Sequence, residues 1–185
     1  MNQFLLGFFA SLPAVWLGAF LYNHYTENRD LKNKKIDNLQ EIIRILNILT
    51  SYATILTQEH YQCNYFRKAN QLDHGDPKTW EMLVKHVDEV SEISGKMIEY
   101  KGELSKNLFL YKRLFGKDDV LFTLMEKVTW NDTDKFEYIQ HIPDMATLSR
   151  IHLENMKNVH SLIKQTVGSK VKDIEGHLEQ KALKV

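Results

Sequence analysis

The pattern of apolar and polar positions divides the chain into an uncharged opening and a much longer stretch of helical periodicity. From Phe4 to Tyr22 the 19 residues FLLGFFASLPAVWLGAFLY carry no charge. At about 1.5 Å per residue they nearly match a hydrocarbon core of roughly 30 Å. The pattern predicts a transmembrane helix within residues 1–26. Pro13 removes one backbone hydrogen bond and is a candidate kink, which membrane helices tolerate better than soluble ones. Tyr22, His24 and Tyr25 suit the membrane interface. Met1-Asn2-Gln3 has no basic residue and the apolar run exceeds a usual signal core, so the segment reads as an uncleaved anchor.

After a basic juxtamembrane segment, residues 27–35, helical periodicity takes over and continues through a helical bundle domain, residues 36–185. Between Ile36 and Cys63, Leu39, Leu46 and Ala53 repeat at one heptad position and Ile42, Leu49 and Leu56 at the other. Ile43, Ile45, Ile48, Tyr52 and Ile55 widen that surface beyond a two-stranded seam, which predicts more than one neighbouring helix. His74-Gly75-Asp76-Pro77 supplies a turn, an N-cap and a first helical proline. The second long helix has one column through Trp80, Val87, Ser94, Lys101, Leu108 and Phe115, and another through Leu83, Val90, Met97, Leu104 and Tyr111. Gly116 is its expected C-cap, and Ser94 and Lys101 are weak core choices.

Asp118-Asp119 predicts the start of a short helix over residues 120–130, followed by a polar joint and a brief turn at 136–142. Pro143-Asp144 then opens a last long helix with apolar positions including Leu148, Ile151, Val159, Ile163, Val167, Val171, Ile174 and Leu178. Gly168 and Gly176 weaken its later turns. The expected fold is all-α: one N-terminal transmembrane helix, then an elongated antiparallel helical bundle of three long helices and one or two short ones. The length after the anchor suits one domain.

Charge narrows the functional classes. Lys plus Arg and Asp plus Glu are 24 each, so there is no basic excess of the kind that coats nucleic acid, and none is expected as a partner. Arg29, Lys32, Lys34 and Lys35 follow the anchor while no basic side chain precedes it, which predicts a cytoplasmic bundle. Asn131-Asp132-Thr133 is a glycosylation sequon that would matter only on the other side of a membrane. Within the anchor, Gly7, Ala10, Ser11, Ala14 and Gly18 form a small-residue face at the spacing by which membrane helices associate. Residues 118–144 hold seven acids against two lysines. Asp118, Asp119, Trp130, Asp132, Asp134 and Glu137 there make an acidic, aromatic surface suited to a basic partner, or a solvated connector that plugs the bundle.

Chemistry is sparsely marked. Cys63 is the single cysteine, which excludes an internal disulfide framework. His60 and Cys63 stand at i and i+3, but two ligands do not make a zinc site, and both positions also fit a helix core. His86 and Glu89 share that spacing without the paired Glu-x-x-His motifs of di-iron bundles, and a surface hydrogen bond is the plainer account. His86, His152, His160 and His177 compete for any phosphotransfer role. No P-loop, dinucleotide fingerprint, nucleophile elbow or HExxH motif occurs, and no cofactor is expected. The leading expectation is a membrane-anchored, self-associating interaction or scaffold protein. A single-pass sensor or signalling bundle comes second, and a metal-binding or phosphotransfer helical protein third.

Overall fold

The structure is a computed structural model that describes the backbone of residues 3–130 and 142–185 and the side chains of residues 20–130 and 142–185. Helix α1 spans Gln3–Leu72, α2 Pro77–Phe115, α3 Asp119–Glu126, α4 Met145–Ile163 and α5 Ser169–Ala182, with a π-helical turn at Lys164–Gly168 joining the last two. The described residues are all-helical apart from their connections, as the periodicity predicts. Among them no helix is long and apolar enough to cross a membrane. The small-residue face of the expected anchor, Gly7, Ala10, Ser11, Ala14 and Gly18, falls where side chains are not described, and Phe20, Leu21 and Tyr22 at its end are exposed.

A single helix of 70 residues, about 105 Å long, runs through the expected juxtamembrane segment into the bundle. The reason is local. Between Gly18 and Gly75 there is neither glycine nor proline, and the polar stretch of residues 27–35 is rich in Glu, Arg, Lys and Leu, all good helix formers. The helix also passes Cys63 by nine residues before ending where positive φ appears, at His74 (53°) and Gly75 (89°).

Helix α1 is the shared wall of the bundle, packing against α2 on one side and against α4 and α5 on another. Leu39, Ile42, Leu46, Leu49, Ala53 and Leu56 are all buried along it. Ile45 is also fully buried, because a helix with two neighbours needs a wider apolar face than a single seam supplies. Buried Asn38 donates to the backbone carbonyl of Asn107 at 3.1 Å and to its side chain at 3.2 Å. Together with the ring contact of Tyr52 and Tyr100 (5.7 Å), this fixes the antiparallel register of α1 and α2.

Helix α2 is capped as expected, with Asp76 accepting from the Thr79 N–H at 3.1 Å and Pro77 in its first turn. Its packing is narrower than its sequence suggests. Leu83, Met97, Leu104 and Tyr111 are buried, but Trp80 and Val87, expected in a core column, are 56% and 46% exposed. The second column thus turns outward at its start, whereas Leu108 and Phe115 further along pack partly buried against the core.

In the last helical stretch, Val159, Ile163, Val167 and Val171 are buried at successive four-residue steps. Each such step overshoots an α-helical turn by about 40°, so the stripe would spiral off the core. The wider i→i+5 turn at Lys164–Gly168 takes up the excess and brings Ile174 and Leu178 back to the same face. Tyr65 meets Ser149 at 3.3 Å and Asn47 meets Glu175 at 2.8 Å, so α4 and α5 run antiparallel to α1. They are therefore parallel to α2, where a simple up-down-up bundle would alternate. Helix α3 lies against α5 at the end of the bundle nearer the start of α1, and α4 begins at the opposite end.

Candidate functional site

Several expected sites are redistributed by this packing. Asp118, assigned to an acidic surface, is 6% exposed and internally satisfied. It caps α3 through the Leu121 N–H (3.2 Å) and accepts from Tyr111 Oη (2.6 Å), His177 Nε2 (2.9 Å) and Lys181 Nζ (2.9 Å). Burial alone would raise its pKa, but those hydrogen bonds hold it well below the usual carboxylate range. Burial and the Asp118 carboxylate push the Tyr111 hydroxyl upward. Asp118 is thus a junction of α2, α3 and α5. Trp130 likewise packs partly buried against the core, and Asp119 is exposed beside Lys117 at 3.2 Å. Asp132, Asp134, Glu137 and the sequon at Asn131 lie outside the described residues.

Arg29, Lys32 and Lys34 are exposed on α1. Lys35 instead leans over the Phe115 ring at 5.4 Å, tying α1 to the end of α2. Arg29, Lys32 and Lys35, with Tyr25, Leu31 and Val185, line a shallow recess of about 440 Å³.

Two features remain that the fold does not consume. The first is the outer face of α2. Trp80, Val84, Val87, Ser91 and Gly95 continue into Ile98, Gly102, Ser105 and Phe109 at steps of four or three residues, one line along a helix. All nine are exposed and none is charged. A Cβ added at Gly95 or Gly102 would meet nothing within 4 Å, so no packing within the chain calls for either glycine. A mid-helix glycine costs about 1 kcal/mol relative to alanine, which makes the pair expensive in isolation.

The second is a carboxylate–imidazole cluster where the far end of α1 meets the first turns of α2. His86 Nδ1 lies 2.6 Å from Glu59 Oε2 and 3.2 Å from Glu89 Oε2. The histidine residue is 9% exposed and its ring stacks on Phe66, 5.3 Å between centroids and 11° from parallel. Burial raises the Glu59 carboxyl, which shares a hydrogen bond with Glu89, and that bond lowers Glu89. Among the described residues these three form the one group whose ligand atoms lie within 4.8 Å of one another. His60 and Cys63 border the cluster without joining it. Cys63 is a buried thiol, raised first by desolvation and then by the Glu59 charge, and burial lowers His60.

The other phosphotransfer candidates sit in three different settings. His152 stacks on Tyr65 at 4.3 Å, His160 is exposed, and His177 is held by Asp118. No protein-family model, curated protein or solved structure matches the chain.

Proposed function

We propose that this chain is a membrane-anchored helical interaction protein that self-associates through the outer face of α2, with its bundle on the cytoplasmic side. The observation that carries the reading is the uncharged, exposed line from Trp80 to Phe109 with two glycines its own fold does not require. Small residues at Ser91, Gly95, Gly102 and Ser105 let a second helix approach closely, while Trp80, Val87, Ile98 and Phe109 supply apolar area.

The occupant that fits is a second copy of the chain lying in parallel. Two anchors in one membrane orient two bundles alike, so like residues of α2 face one another. Glu99 and Lys101 then stand at nearly one level on opposite margins, and each Glu99 meets the Lys101 of the second copy. Further along, Lys106 and Arg113 repel the Lys112 of the second copy, which favours helices that cross near Gly95–Gly102 and splay at their ends.

A face about 44 Å long and 10 Å wide covers about 400 Å² per copy, roughly half of what a freely diffusing pair needs. Confinement by the anchor supplies the rest as effective concentration. The uncharged run Phe4–Tyr22 supports that anchor, its small-residue face adds a second contact, and Arg29, Lys32 and Lys34 support the orientation.

The test uses the full chain in native membranes with Cys63→Ser and a single new cysteine, Ser91→Cys or Ser105→Cys. Carbonate washing should leave the chain in the membrane, and mild oxidation should give a covalent dimer from either cysteine. Release by carbonate would refute the anchor. Retention without crosslinking at either position would refute parallel association through α2.

A further inference from the structure

The geometry points to a mononuclear site for a divalent transition-metal ion at Glu59, His86 and Glu89, clamping α1 to α2 at the end of the bundle away from the proposed membrane. The donor set is one imidazole nitrogen and two carboxylates. Ligand atoms on a common ion at metal–ligand distances of about 2.0–2.2 Å stand about 3–3.5 Å apart. The observed separations from His86 Nδ1, 2.6 and 3.2 Å, are already near that spacing.

Three properties distinguish this group from an ordinary surface cluster. The imidazole is buried, and the Phe66 stack fixes its plane, as ligand histidines require. Two carboxylates converge on that same nitrogen from different helices, Glu59 from α1 and Glu89 from α2. Their oxygens also lie within 4.8 Å of one another, where a divalent ion would offset the repulsion between the two charges. Glu89 also lies on the more open side, its side chain 38% exposed, so water can complete the coordination.

The donors select the class of ion. Calcium prefers six to eight oxygens, and copper(I) prefers sulfur. Nitrogen with two carboxylates suits zinc(II), cobalt(II), manganese(II) or iron(II). Three protein ligands with open positions leave room for exchangeable water.

The full chain in detergent micelles, stripped of metal, should bind one Co²⁺ per chain with visible ligand-field bands, and Zn²⁺ should displace it. Glu59→Gln and His86→Gln should each weaken Co²⁺ binding at least tenfold, because even outer-shell contacts to metal ligands carry roughly 10–100-fold. His160→Ala, at an exposed histidine remote from the cluster, should leave binding unchanged. X-ray absorption of the zinc-loaded native chain should show a nitrogen and oxygen shell, a readout independent of how the variants fold. Absence of stoichiometric Co²⁺ binding, or unchanged affinity in a well-folded His86→Gln variant, would overturn the site. A sulfur neighbour would do so too, by assigning the ion to Cys63.

Discussion

Replacing Asp118 by asparagine tests the tightest polar junction in the fold. The substitution preserves shape and one carbonyl acceptor, so the α3 cap can persist, but it removes the charge that His177 and Lys181 both approach at 2.9 Å. Hydrogen bonds to charged groups contribute about 1.5–3 kcal/mol each, which sets the gross loss near 3–6 kcal/mol. Lys181 is 34% exposed and recovers part of its solvation by turning outward. A net cost of about 2–4 kcal/mol follows.

The pH dependence has a definite sign. The folded Asp118 carboxyl is lowered, so its contribution is fully present above the unfolded value near 3.9 and is lost as pH falls toward the folded value. Urea unfolding of the full chain in micelles, followed by circular dichroism, should show a constant gap between native and variant from neutral pH to about 5. The gap should shrink below about pH 4. A cost under about 1 kcal/mol, the range of an exposed ion pair, would refute the assignment of Asp118 as a buried junction. So would a gap that stays constant to about pH 3.

Gly95→Ala and Gly102→Ala should each stabilise the chain by about 0.5–1 kcal/mol in the same unfolding measurement, since the added methyl meets open space. Gly95→Leu with Gly102→Leu should instead suppress the α2 crosslink while helicity is retained, which separates helix stability from association. Asp76→Ala removes the acceptor for the Thr79 N–H and should cost about 1 kcal/mol in urea unfolding. Cys63, buried and with its thiol pKa raised, should react slowly with a maleimide at neutral pH and rapidly once urea unfolds the chain; fast native labelling would contradict its burial.

The sequence alone determined the elements and most of their ends. Apolar residues at helical spacing, Asp76-Pro77 as an N-terminal signal, Gly116 as a C-terminal one and Asp144 as a cap are local features, and the helices start and stop at them. The heptad columns of α1 became core because that helix has neighbours on two sides. Continuity across residues 27–35 follows from their composition, which holds neither glycine nor proline.

Only the tertiary structure decided which columns face inward. Trp80 and Val87 have the same periodicity as buried seam residues, and periodicity cannot say how many neighbours a helix has. The Glu59–His86–Glu89 cluster shows the same division. His86 and Glu89 are visible as an i,i+3 pair, but Glu59 lies 27 residues before His86 and meets it only through the antiparallel register of α1 and α2. Asp118 likewise reads as one more acid in an acidic segment until α5 brings His177 and Lys181 to it. Spacing along a helix is set by covalent geometry, whereas a meeting between helices depends on which buried surfaces match. For this chain that match turned Asp118 inward and left an uncharged helix face outward.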